Sequence, residues 1–341
     1  MADQVLEVSG SVENPRTARS PRARGLLVAL CTLAVGCTLG GGSDGYGPDG
    51  GAGGGSLPFG GGSVGGDGSG GGGSGGGTSQ ASSEICDGID NDGDGVIDNI
   101  DKDGDGVCDC LRIATLGYSG EWGTGDVFSQ WLKGKSFQGA TALEGTVLTA
   151  DVLASFHVIV VQDVREGSPG TSGIGHGIGR TYSADEIEAL KQWVSKGGGL
   201  MTLTGYADSS ELTNVNSLLA PFGLSYGTNS ILFGGGGQTA AVTHWATHPL
   251  TEGVSKVGVD NGYPVLGGGT LIAWEPNVDE SNVARAVPFE LGHVFAWGDE
   301  WITYDSEWTQ HTDYQVGRFW LNSLKWLPPG DFCQVAIPDI G

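Results

Sequence analysis

Beyond residue 110 the apolar positions fall into two alternating rhythms. "LRIATLGY" (Leu111–Tyr118) reads as a strand running into a Gly-rich loop, and Asp126–Lys133 reads as a helix. "FHVIVVQD" (Phe156–Asp163) is a continuous β-branched run, as a central strand buried on both faces requires. In "YSADEIEALKQWVSKGGG", Ser183 and Glu186 have capping-box spacing, Ile187, Leu190 and Val194 form an apolar stripe, and Gly197 stops the helix. "GLMTLTGY" is the next strand, and a helix over Ser209–Ala220 follows, with Asp208 as N-cap and Glu211 three residues on. Shorter strands fill Ser225–Trp301, some of them antiparallel. A last helix sets Val316, Phe319, Trp320, Leu324 and Leu327 on one side before Pro328-Pro329 ends it. The alternation predicts one doubly wound α/β domain over 111–330 rather than two domains.

The first 110 residues keep neither rhythm. Arg16, Arg19, Arg22 and Arg24 precede the apolar run "GLLVALCTLAVGC" (Gly25–Cys37), too short for a comfortable membrane span and suited to an export signal. Its end, Leu33-Ala34-Val35-Gly36-Cys37, resembles a bacterial lipobox, in which the cysteine is lipidated and becomes the new N-terminus. The alternative is ordinary signal cleavage nearby, leaving Cys37 a stray thiol. The lipobox reading makes 1–37 a lipoprotein signal and gives the membrane as a partner through a lipid anchor. Thr38 after the cysteine points to an outer-membrane or cell-surface location. Residues 38–83 hold much of the chain's 65 glycines and too little apolar surface to offset ordering, which predicts a disordered tether.

Nine aspartates crowd Cys86–Cys110, with Lys102 the one opposing charge. Counting from Asp90, Asp90, Asp92 and Asp94 occupy positions 1, 3 and 5, Gly95 position 6, Val96 position 7, Asp98 position 9 and Asp101 position 12. That is the oxygen-ligand spacing of a calcium loop. Asp101 starts a second copy with Asp103, Asp105, Gly106, Val107 and Asp109 in the same places, although Arg112 stands at its twelfth. No helices flank the loops, which argues against an EF-hand pair. The tandem arrangement over 84–110 resembles thrombospondin type-3 repeats and the bacterial Cys-Asp-Gly-x-Asp-Asn-Asp metal-binding repeat, here Cys86 to Asp92. The resemblance implies structural calcium; no organic cofactor is indicated. The bland alternative is a solvated acidic linker.

After loss of the signal, which carries Cys31, and lipidation of Cys37, four cysteines remain: Cys86, Cys108, Cys110 and Cys333, which pair in three ways. In a parallel α/β sheet the last helix ends near the start of the first strand, so we expect Cys110–Cys333 across that edge. Cys86–Cys108 is left to close the calcium loops, and 331–341 is a tail carrying Cys333.

The helix before "GGGLMTLTG", then "HPLTEGV" (His248–Val254), "VFAWGDEW" and the closing helix resemble the class I glutamine amidotransferase-like superfamily, in its trehalose-utilisation-protein-like branch. The resemblance implies a flavodoxin-like, amidotransferase-like sheet. In active members the strand after the Gly-rich turn leads to a nucleophilic cysteine. That place is held here by Thr204, and no cysteine lies between Cys110 and Cys333, so cysteine-based amide chemistry is excluded.

Ligands of open α/β sheets sit beyond the carboxyl ends of the strands. Residues expected at that crevice are Tyr118, Ser119, Asp163, Arg165, Thr204, Tyr206, Asp208, Asp299 and Glu300. Asp299 and Glu300 have several readings: acid and base, cation ligands, hydrogen-bonding partners of sugar hydroxyls beside tryptophans, or caps of neighbouring turns. Pro249 and the strand-like surroundings argue against zinc at His244 and His248. The glycine-laden loop Val164–Thr181 is a lid or an insertion. A net charge of −24 argues against nucleic acid as a partner. The leading expectation is a non-catalytic, lipid-anchored module binding a ligand or an envelope glycan or protein. The competing one is a hydrolase of glycans or peptides using Asp299, Glu300 or a serine near the elbow, with Thr204 a weaker candidate, and the third is a purely structural envelope protein.

Overall fold

β3 (Val158–Val161) consists of four fully buried aliphatic residues, so both of its faces need cover. In the computed structural model, which describes residues 83–117, 125–164, 181–205, 209–228, 240–260, 262–275, 282–330 and 332, it is the middle of a parallel array. On one side it pairs with β1 (Ile113–Leu116), which carries the short β2 (Thr141–Ala142) outside it. On the other it pairs with β4 (Gly199–Leu203), which pairs with β12 (Gly292–Trp297). Beyond β12 the direction reverses. β11 (Asn282–Phe289), β10 (Thr270–Trp274) and β7 (His244–Trp245) complete the eight-stranded sheet by antiparallel pairing, in the order β2-β1-β3-β4-β12-β11-β10-β7. Two antiparallel pairs stand apart from it: β5 (Leu224–Tyr226) with β9 (Val265–Gly267), and β6 (Ala240–Val242) with β8 (Val257–Val259).

Alternation along the strands splits the core in two. Val158 and Val160 face a cluster with Phe128 and Leu132 of α1 (Asp126–Gly134) and Phe319 and Trp320 of α6 (Val316–Trp326). Ile159 and Val161 face Leu153 of α2 (Ala150–Leu153), Leu190 and Val194 of α3 (Ala184–Ser195) and Leu218 of α4 (Ser209–Leu219). Helices thus cover both faces, and the chain is α/β. Phe319 and Trp320 are fully buried, each worth roughly 1.5–3 kcal/mol by apolar area. The expected capping box forms: Ser183 Oγ accepts the Glu186 N–H and Glu186 Oε2 accepts the Ser183 N–H. α1 is capped from a distance, because Asp305, which begins α5 (Asp305–Gln310), accepts the Val127 N–H at 2.8 Å.

The acidic segment 83–110 contains no helix; Val107 packs into the core, and an isolated bridge pairs Ile97 with Phe332. Phe332 also lies 4.1 Å from the His157 ring and packs with Cys108 and Cys110. Phe332 therefore lies beside the residues that lead into the first strand, but the expected disulfides are wrong. Cys86 bonds to Cys110, which excludes both Cys86–Cys108 and Cys110–Cys333. The physical reason is the path of the two loops. They curl so that entry and exit of the whole segment meet, with the Cα atoms of Cys86 and Cys110 5.2 Å apart. Cys108 is buried and also disulfide-bonded. The signal, the tether to residue 82, Cys37 and Cys333 lie outside the described residues.

Candidate functional site

Because β3, β4 and β12 are adjacent and parallel, their carboxyl ends bring Asp163, Thr204, Asp299 and Glu300 to one edge of the sheet. All four are at most 1 % exposed. Asp163 holds φ +45°, the left-handed region that a non-glycine residue enters at a cost. Gly205 is required by packing: a Cβ there would lie 2.6 Å from the Glu300 Cγ and 3.3 Å from an Asp299 oxygen. Tyr118, Ser119, Arg165, Tyr206, Asp208 and most of the proposed lid lie outside the described residues.

The hydrogen bonds show how these groups are occupied. Asp299 Oδ1 accepts the Trp301 N–H at 2.8 Å, and Oδ2 accepts the Asp260 N–H. Tyr263 N–H donates to the Gly298 carbonyl at 2.6 Å, so the segment around 260–263 is laced against the end of β12. Glu300 Oε1 accepts from the Tyr304 hydroxyl at 2.8 Å. Thr204 Oγ1 donates to Oε1 of Glu211, a fully buried carboxylate in the first turn of α4, at 3.1 Å. Burial pushes the Asp299 carboxyl well above the usual range; the amides of Trp301 and Asp260 pull it back, and the charges of Glu300 and Asp260 raise it further. The Trp301 ring fills the space beside Gly258, where a Cβ would come within 2.2 Å of it, and its Nε1 donates to Ser306 Oγ at 2.7 Å. His248 Nδ1 accepts the Leu250 N–H and so caps a turn.

The acidic segment is organised by a repeat eleven residues long. Asp90 Oδ1 accepts the Gly93 N–H and its Oδ2 the Gly95 N–H; Asp101 does the same with Gly104 and Gly106. Asp92 and Asp94 accept the N–H two residues on, as do Asp103 and Asp105. Gly93, Gly95, Gly104 and Gly106 all have φ between +73° and +93°, which keeps side chains out of these turns. Asp98 turns back to the amides of Asp87 and Gly88, and Asp109 accepts the Lys102 N–H. Val96 and Val107 stand at the two seventh positions, Val107 buried in the core and Val96 partly exposed.

The two loops differ in what joins them from outside. In the first, Glu84 Oε1 accepts the N–H groups of Asn91 and Asp92, and carboxylate oxygens of Glu84, Asp90 and Asp92 lie within 4.8 Å of one another. In the second, those of Asp101, Asp103 and Asp105 lie equally close, and the Lys135 ammonium sits among them, 2.6 Å from Asp103 Oδ2 and ion-paired with Asp105. Its hydrogen bond, with its charge, holds the Asp103 carboxyl below the usual range, while burial pushes the Asp105 carboxyl up against the same hydrogen bond. Sequence reasoning missed Glu84, Lys135, Glu211 and Asp260. Glu84 lies just ahead of the first loop and was open to notice; the other three reach their partners only through the fold.

No family model matches the chain, and no curated protein matches it. Among solved structures it is similar to the cytoplasmic protein STM1381 of Salmonella typhimurium LT2, at 15% identity and a TM-score of 0.47, over 64% of this chain and 100% of that one. It is also similar to a ThuA-like protein of Bacteroides uniformis ATCC 8492, at 12% identity and a TM-score of 0.37, over 63% and 90%. A third similarity is to the exo-β-1,4-mannosidase Op5Man5 of Opitutaceae bacterium strain TAV5, at 12% and 0.37, over 63% of this chain and 36% of that one.

Proposed function

We propose that the chain is an extracytoplasmic, lipid-anchored binding module, in which a calcium-held acidic segment presents a non-catalytic amidotransferase-like α/β domain to an envelope glycan or protein. The observation that carries this reading is the occupancy of the strand edge. Both oxygens of Asp299 are taken by backbone amides, and the Thr204 hydroxyl is tied to Glu211. Groups so engaged hold loops in place, and an activated nucleophile needs a base beside it that is open to substrate. The hydrolase reading draws on one fact, the raised Asp299 carboxyl, since perturbed acids gather at catalytic sites.

The acidic segment fits calcium by the chemistry of its donors. Calcium takes about 6–8 oxygen ligands, and each loop offers three convergent carboxylates on positive-φ turns. The residues that would hold the ion are Glu84, Asp90 and Asp92 in the first loop, with Asp101, Asp103 and Asp105 the corresponding group in the second. The ion would neutralise charge that otherwise repels itself.

Purified mature chain is incubated with glutamine, aryl glycosides and aryl peptides, beside Glu300→Gln and Thr204→Ala. The expected result is no ammonia and no aryl release above background in any of the three. Turnover by wild type that either substitution abolishes would establish a hydrolase instead. Mass spectrometry of the cell-derived protein is expected to find diacylglycerol on an N-terminal Cys37.

A further inference from the structure

The repeat makes the two loops copies, yet their surroundings are not. Lys135 is the residue directly after α1, where its own N–H bonds the carbonyls of Trp131 and Leu132 and closes the helix. That anchoring aims the side chain at the second loop with 14 % of it exposed, and the ammonium meets Asp103 and Asp105, positions 3 and 5 of that copy. These are the positions whose oxygens a divalent ion would need, together with Asp101. Among the described residues no basic side chain pairs with Glu84, Asp90 or Asp92 in the first loop.

We propose that Lys135 is the resident cation of the second acidic loop, so that the segment takes a single divalent ion, in the first loop. This deepens the calcium reading above and rests on it for the first loop only. An ammonium and a divalent ion repel at contact distance and compete for the same carboxylate oxygens. The ammonium is covalently tethered and pre-positioned by the helix end, so it is present at all calcium concentrations. Its partners lie thirty-two and thirty residues earlier in the chain, which makes the pair a strut between the acidic segment and the sheet body. The negative C-terminal end of α1 favours the same cation. One loop then answers to calcium while the other stays docked without it.

The test is calorimetric titration of calcium chloride into metal-free mature chain, for wild type, Asp92→Asn, Asp103→Asn and Lys135→Met. The expected stoichiometries are one ion for wild type, none for Asp92→Asn, one for Asp103→Asn and two for Lys135→Met. Two ions on wild type, loss of uptake in Asp103→Asn, or a single ion on Lys135→Met would overturn the assignment. A second measurement separates it from the calcium reading. In EDTA, Lys135→Met is expected to lower Tm by about 2–4 °C, as loss of about 1 kcal/mol does in a domain of this size. Should wild type take up no calcium while that fall persists, the calcium reading fails and the Lys135 strut stands. Should Tm in EDTA stay unchanged, the strut fails whatever the calorimeter shows.

Discussion

Carboxylates gather in two regions of this protein, under opposite conditions. In 83–110 they line surface turns, accept mostly from amides of their own loop, and keep oxygens directed at common points. At the strand edge Asp163, Glu211, Asp299 and Glu300 are almost wholly buried; Asp299 accepts the N–H of Asp260, from a segment far away in sequence, and Glu211 accepts from the Thr204 hydroxyl. A surface carboxylate stays charged at little cost and serves a cation. A buried one is costly to charge and persists because amides and hydroxyls are matched to it. Acidity alone therefore says little about role; burial decides it.

The contrast can be broken most directly at Asp299. Replacing it with alanine leaves the buried amides of Asp260 and Trp301 without acceptors, an expected loss of about 2–6 kcal/mol in urea unfolding. The same change at Asp94, whose Oδ1 accepts the Val96 N–H on an exposed turn, is expected to cost under about 1 kcal/mol in EDTA. Equal losses would refute the distinction.

Next in size is the cross-link. Cys86→Ser with Cys110→Ser opens a loop with a sequence separation of 24, for an expected cost of about 2–4 kcal/mol. Peptide mapping without reductant is expected to recover Cys86 joined to Cys110. A peptide joining Cys86 to Cys108 would contradict the fold described.

The smallest effect sharpens the buried side of the comparison through Glu307. Its Oε1 accepts the Gly258 N–H at 3.0 Å, and its Oε2 has no hydrogen-bond partner among the described residues. Burial raises its pKa to about 7, against the bond from Gly258 and with the help of the Asp313 charge. Unfolded, the group loses its proton near the ordinary glutamate value of 4.5. Between those values the folded state binds more protons, so stability falls as pH rises from about 4.5 through about 7. Glu307→Gln is expected to remove about 1–3 kcal/mol of that fall, measured in EDTA at pH 5 and pH 8. Parallel pH profiles for the two proteins would show that Glu307 does not carry it.

Much of the architecture was legible because it rests on local rules. Ser183 and Glu186 announce a helix start at capping-box spacing, the stripe from Val316 to Leu327 announces a buried face, and the unbroken run in β3 announces a strand covered twice. The candidate site was legible only in outline. Thr204, Asp163, Asp299 and Glu300 do meet at one edge, because parallel strands must end together. That Thr204 bonds Glu211 and that Asp299 serves Asp260 were not legible, since those partners come from other elements.

By itself the sequence determined the order of the principal strands and helices, the eleven-residue rhythm of the aspartates and the lack of any cysteine between Cys110 and Cys333. These follow from side-chain periodicity and from backbone conformations that neighbouring residues impose. Tertiary structure alone decided that Cys86 finds Cys110, that Lys135 enters the second loop, and that the strand-edge acids turn inward. Each of those outcomes depends on which distant groups share a volume from which water has been excluded, and no local spacing encodes that.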